Sequence, residues 1–265
     1  MRGLWLALLS GGVLFAQTAP RELVRQSIRN GEQSWRESFY YSCVKRDVDR
    51  QMDATGRLKS SAVDLFDIIP LGYGDYFEQQ VEHNGEPLSA EERLKISKEL
   101  EKRRAESPAQ KRRRFEKELA ERSYLEEVPD AFDFKITGEE KLATGPAWVV
   151  DATPHPGYVP KSRYAHFFPK MHGTLWIDKK DLQWVKADAV AADTVTFGLF
   201  LARLAKGSHI ILEQTRLSDG AWVPQGLSAR AEARTFLLFN HNIDENVTYS
   251  NYRKAESVTA SGAAR

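Results

Sequence analysis

The chain has 265 residues, 38 Lys and Arg against 37 Asp and Glu, a formal charge of +1 at neutral pH and one cysteine. This near balance excludes a general nucleic-acid binder, which needs a dominant positive field. With Cys43 alone there is no internal disulfide, but the length suffices for a full core without covalent staples.

The chain opens with "MRGLWLALLSGGVLFAQ". Arg2, an apolar run from Leu4 to Phe15 and then Ala16 have the layout of a secretory signal peptide over residues 1–16. Cleavage is expected after Ala16, with Ala19 as the second choice. The run falls short of the roughly 20 apolar residues of a bilayer span. No lipobox cysteine follows, so a lipid anchor is not expected. Export follows, to the periplasm of a Gram-negative-type bacterium.

Residues 20–39 place Val24, Ile28 and Trp35 on one helical face, with Leu23 beside them. The period then changes to two through "FYYSCVKRDVDRQM", "RLKSSAVDLFDIIP" and "DYFEQQVEHNG", which read as three strands. A charged helical insertion is expected over 89–127. Ser89 with Glu92 forms a capping box, and Ser107, Pro108 and Gln110 open a second helix, so the insertion is a hairpin of helices. Its basic run "KRRRF" is offset by Glu116, Glu118 and Glu121, so a solvated face held by salt pairs is favoured over a basic patch.

Beyond residue 130 the pattern is strand almost to the end. Hairpins are expected around "DKKD" (178–181) and at Asp219–Gly220, the strongest short hairpin signal in the chain. A polar tail, 256–265, is expected to be disordered. The sum is an α+β domain over 17–255: a large curved antiparallel sheet or open β-barrel with an N-terminal helix and the inserted hairpin.

Two strands carry rows of small residues. Ala229, Ala231 and Ala233 share one face, as do Val185, Ala187, Ala189 and Ala191. Such walls do not fill the inside of a curved sheet. Either the N-terminal helix brings Trp35 close, or an apolar guest occupies the space. An acyl chain buried there would gain roughly 0.8 kcal/mol per CH₂.

The stretch "KSRYAHFFPKMHGTLWID" (161–178) follows Pro156, Gly157 and Pro160. Its aromatics, Tyr164, Phe167 and Phe168, either tuck over the open end of the sheet or form the mouth of a cavity, with Lys161, Arg163 and Lys170 meeting an anionic head group or membrane surface. Phe197 and Phe200 are lid candidates. His155, His166 and His172 lack metal-ligand spacing. No nucleophile elbow frames Ser162, His166 and Asp151, and no phosphate-binding loop is present. No metal, cofactor or catalytic residue is expected.

The order of these features, with "GTLWIDKKDLQWVKADA", the apolar "FGLFLARLAKGS", "DGAWVP" and a terminal "YSNYRK", resembles the LolA/LolB-like superfamily of bacterial envelope proteins, in particular its outer-membrane-lipoprotein-sorting-like members. The resemblance covers most of the chain after the leader. It implies an open barrel with helices over an apolar cavity, used by lipoprotein carriers to shield acyl chains; related folds act as envelope-stress regulators. The insertion at 89–127 departs from the known carriers, and no ligand-contacting residue is carried over. The expected function is a non-enzymatic carrier or sensor of a lipid or of lipoprotein acyl chains, in peripheral contact with a membrane. The ligand contacts would be Tyr164, Phe167, Phe168, Ala187, Ala189, Phe197, Phe200, Ala229, Ala231 and Ala233. The alternative is an envelope interaction module that docks a protein partner through the insertion.

Overall fold

The computed structural model describes residues 20–53, 57–197, 202–235 and 239–255. The expected signal peptide (1–16) and polar tail (256–265) lie outside the described residues. The elements in chain order are α1 (Pro20–Ser38), β1 (Tyr41–Met52), β2 (Leu58–Gly72), β3 (Asp75–His83), β4 (Glu86–Pro87), α2 (Ala90–Ala105), α3 (Pro108–Arg122), a 3₁₀ turn (Ser123–Glu127), α4 (Val128–Ala131), β5 (Phe132–Leu142) and β6 (Gly145–Pro154). A second 3₁₀ turn (Phe168–Lys170) precedes β7 (Met171–Asp178), β8 (Trp184–Ala191), β9 (Val195–Phe197), β10 (Ala202–Leu204), β11 (His209–Arg216), β12 (Trp222–Thr235) and β13 (Phe239–Lys254).

The strands form one antiparallel sheet in the order β4-β3-β2-β1-β13-β12-β11-β8-β7-β6-β5, with β10 also pairing β12 and β9. Its two ends, β4 and β5, do not pair, so the sheet is curved and open. The apolar stretch 197–208 begins on the last residue of β9 and contains β10, which pairs with β9 and adds to β12.

The helical insertion is the chain's path from one edge strand, β4, to the other, β5. Both of its helices start on capping boxes, Ser89 with Glu92 and Ser107 with Gln110. Each box satisfies two backbone N–H groups that a helix start leaves unpaired. The insertion is tied to the sheet by charge. Asp75 on β3 is 3% exposed and accepts from Arg103 and Arg114, both at 2.7 Å. Removing both arginines would strand the buried Asp75 charge. Gly74, at φ +76°, lets the Phe115 ring lie directly on the turn between β2 and β3, where a Cβ would sit 2.5 Å from it.

The apolar core is divided. Leu23, Val24, Val150 and Ile177 join α1 to β6 and β7. Ala131, Phe132, Phe168, Met171 and Ala191 pack at the β5–β8 end. Leu71, Phe77 and Leu100 fix α2 to β2 and β3. The middle strands, β11 to β13, lie between these clusters.

Candidate ligand-binding site

A cavity of about 280 Å³, partly open to the outside, lies between α1 and the middle of the sheet. Its floor is a row of direct cross-strand partners: Leu175 on β7, Ala187 on β8, Leu212 on β11 and Leu227 on β12. Such partners share one face of a sheet, so register alone brings them together. Ile28, Gly31 and Trp35 of α1 form the roof. Tyr124, Leu125 and Val128, from the end of the insertion, close one side.

A β-bulge shapes this floor. The β7–β8 partners step from Trp176 and Lys186 to Ile177 and Trp184, which passes over Val185. A bulge re-aims the side chains beyond it, and Trp184 turns into the cavity with Ala187. Val185 therefore drops out of the alternation that the sequence predicts for 185–191.

The height of the roof is fixed by contacts on α1. A Cβ on Gly31 would stand 2.4 Å from Trp184 Nε1, so the helix approaches the sheet as closely as glycine allows. Asn30 Nδ2 donates to the carbonyls of Asp181 and Leu182 at 2.8 and 3.2 Å. Ser34 Oγ donates to Gln183 Oε1, and Gln183 Nε2 donates to Gln214 Oε1. Gln183 is 1% exposed, and this chain of amides gives its polar atoms the partners that burial demands.

The cavity wall carries one ion pair and one further carboxylate, the exposed Glu213 on β11. Arg122 donates from Nε and Nη2 to Glu32 Oε1 at 3.0 and 2.8 Å, and its guanidinium lies 4.3 Å from the Trp35 ring centre. The pair clamps the insertion to α1 and leaves the cavity without a net charge at that point. Among the described residues no group of three His, Cys, Asp or Glu side chains is arranged to hold a metal ion. Cys43 is buried, and burial pushes its thiol up to about 11, so it is not a ready nucleophile.

The residues singled out in the sequence fall in different places. Ala187 lines the cavity. Ala189 packs instead on the cluster around Phe168. Phe168 is 5% exposed, ringed by Phe132, Tyr124 and Phe167 at centroid distances of 5.3, 5.9 and 4.7 Å. Tyr164 is half-buried beside the Arg163 guanidinium, 4.6 Å from its ring centre. None of the three aromatics lines the cavity. Ala229 is half-buried and Ala231 is buried; neither is in the lining. Ala233 lies on β12 and Phe197 on β9, but their side chains lie outside the described residues, as does all of Phe200. Sequence reasoning missed Trp184, Leu212 and Trp222 as lining residues. Tyr124 and Leu125 were visible as apolar residues at the end of the insertion, but nothing in the sequence says that this end returns to the sheet.

The 155–170 loop is held by one buried carboxylate. Glu127, 7% exposed, accepts from the Tyr158 hydroxyl and from the backbone N–H groups of Lys161 and Ser162. Burial alone would raise its pKa, but these donors hold it below the usual carboxylate range.

No family model and no curated protein matches the chain. Solved structures similar to it include an outer membrane lipoprotein-sorting protein domain from Vibrio parahaemolyticus (11% identity, 87% of this chain and 92% of that one, TM-score 0.36). Others are a DUF1329 family protein from Desulfovibrio piger (12%, 92% and 96%, 0.34) and a LolA superfamily protein from Nitrosomonas europaea (9%, 91% and 96%, 0.30). Two of the three carry the family names that the sequence resembles. At TM-scores below 0.5 these likenesses carry no weight for function.

Proposed function

We propose that this protein is an exported, non-enzymatic carrier or sensor that holds one apolar chain, of a lipid or a lipidated protein, between α1 and the sheet. The domain is residues 17–255, released from a signal peptide over 1–16 into the periplasm of a Gram-negative-type bacterium. The observation that supports the reading is the cavity of about 280 Å³, whose lining surface is mostly apolar. A dry cavity of about 150 Å³ already takes a benzene ring. Small-molecule sites run from about 300 Å³ upwards, so the volume suits a single chain segment and not a bundle of chains. Burial of ten methylenes would contribute on the order of 8 kcal/mol before the entropy of association is subtracted. Arg122 is paired with Glu32, and the remaining carboxylate, Glu213, lies on the exposed side of the lining, so the apolar interior asks for no charged partner.

Native mass spectrometry of the gently purified protein tests this. The wild-type protein should carry a lipid-sized adduct or take up added decanol. Ala187→Trp, which fills the floor, should abolish both while the circular dichroism spectrum stays unchanged. An Ala187→Trp protein that still loads as the wild type does would refute the assignment.

A further inference from the structure

Beside the first cavity lies a second, of about 160 Å³, whose wall is aromatic. Trp35 and Phe39 come from the end of α1 and its exit, Tyr41 from β1, Tyr76 from β3, and Tyr249 and Tyr252 from β13. Trp35, Pro224 and Tyr249 also line the first cavity and form the partition between the two. The charged side chain in the aromatic lining is Glu78.

Two of the four tyrosine hydroxyls of this wall, those of Tyr41 and Tyr252, are turned to protein partners. Tyr41 Oη donates to Asp219 Oδ2 at 2.7 Å, and Tyr252 Oη donates to the Pro224 carbonyl at 2.6 Å. Six of the eleven lining residues are aromatic. The faces of aromatic rings are electronegative and attract cations.

Two rings of the wall already carry a cation, Trp35 with the Arg122 guanidinium at 4.3 Å and Tyr41 with Lys254 Nζ at 5.8 Å, which leaves Phe39, Tyr76, Tyr249 and Tyr252 to face a guest. Lys45 Nζ lies 3.0 Å from Glu78 Oε2 and 3.6 Å from Asp47 Oδ2, so one cation is shared between two carboxylates. Burial, with Glu78, Asp47 and Glu245 nearby, pushes the Tyr249 phenol up to about 12, and burial with Glu118 and Glu78 does the same at Tyr76. Both rings stay neutral at physiological pH. An anion would meet ring faces and carboxylates together. A primary ammonium would need acceptors for three N–H groups on burial, at a cost where they are missing. A quaternary ammonium has no N–H to satisfy.

We infer that this second cavity binds a quaternary ammonium group of the choline type, held by its aromatic wall and by the negative charge of Glu78. The site is separate from the apolar-chain cavity, and the inference stands or falls without it.

Calorimetric titration of the intact protein with choline, and with 3,3-dimethylbutan-1-ol at matched ionic strength, tests the inference. The two probes share a shape and differ in charge. Choline should bind saturably and at least about tenfold more tightly than the neutral alcohol. Equal affinity, or no binding of choline, would overturn the inference. Tyr76→Leu alters this cavity and not the first, and should weaken choline about tenfold. Glu78→Gln changes an exposed side chain without threatening the fold and should weaken choline by a smaller factor. If both variants fold, by circular dichroism, and bind choline as the wild type does, the site is misplaced. Decanol uptake serves as the separating arm: it should respond to Ala187→Trp and not to Tyr76→Leu.

Discussion

Strand β8 carries alanines with opposite fates. Ala187 lies on the floor of an open cavity, while Ala189 and Ala191 are covered by a ring cluster centred on Phe168. The strand is the same, and so are the side chains. What differs is the opposing element. Over Ala187 stands α1, whose height is set by Gly31 against Trp184. Over Ala189 and Ala191 lies the 155–170 connection, which delivers Phe167 and Phe168 into the gap. Small wall residues therefore permit a cavity, and the element on the other side decides whether one exists.

The largest effect should come from converting the filled end into an open one. Phe168→Ala is expected to cost about 3–5 kcal/mol, measured by urea unfolding. It should also create a new apolar site beside Ala191. If the loss is under about 1 kcal/mol, the ring cluster is not the packed region described.

Next in size is a paired insertion of bulk. Ala191→Trp places an indole at a position 1% exposed and should destabilise by about 3 kcal/mol through overpacking. Ala187→Trp enters existing space and should cost under about 1 kcal/mol. Equal losses from the two, in the same unfolding assay, would erase the distinction between the two ends.

A smaller change is expected from Gly31→Ala. Helix propensity favours alanine by about 1 kcal/mol, but the added methyl meets the Trp184 indole and must displace it. The net expectation is a loss of about 1 kcal/mol with a red-shifted, more quenchable tryptophan emission. A gain in stability with unchanged emission would mean that α1 is not pressed against the floor.

The smallest effect concerns pH. The folded-state pKa of Glu127 lies below its unfolded value of about 4.3. The stability this contributes is therefore present above that value and is lost as pH falls through the folded one. Glu127→Gln should flatten the acid limb of the stability curve, with little change in how pH acts on decanol uptake. An unaltered acid limb would show that this carboxylate does not secure the loop.

Much of the architecture was legible in the residues. The capping boxes at Ser89 and Ser107, the helix at 20–38 and the hairpin at Asp219–Gly220 follow from local chemistry, and the structure has all of them. The open antiparallel sheet follows from the succession of period-two segments. The site was legible only in part. Ala187, named for its small side chain on a sheet face, lines the cavity. Trp184 was not named, because the bulge at Val185 changes which way the strand faces, and alternation counted along one strand does not register a residue that its neighbour skips. For Phe168 the sequence left two readings, tucked over the end of the sheet or at a cavity mouth, because the carboxylate that draws its loop inward, Glu127, lies on a different element far back in the chain. Gly31, a weak helix former by propensity, sits where α1 presses on the Trp184 indole.

The passage of the chain from β4 to β5 has a mechanical result. The two borders of the sheet are sewn together by the same polypeptide, riveted partway at Asp75 and again where Arg122 meets Glu32. Spreading the borders would tension this seam and drag α1 with it. A single protease cut at the Ser107 junction would slacken the seam without removing an atom of the floor, and so would loosen the grip on whatever lies beneath.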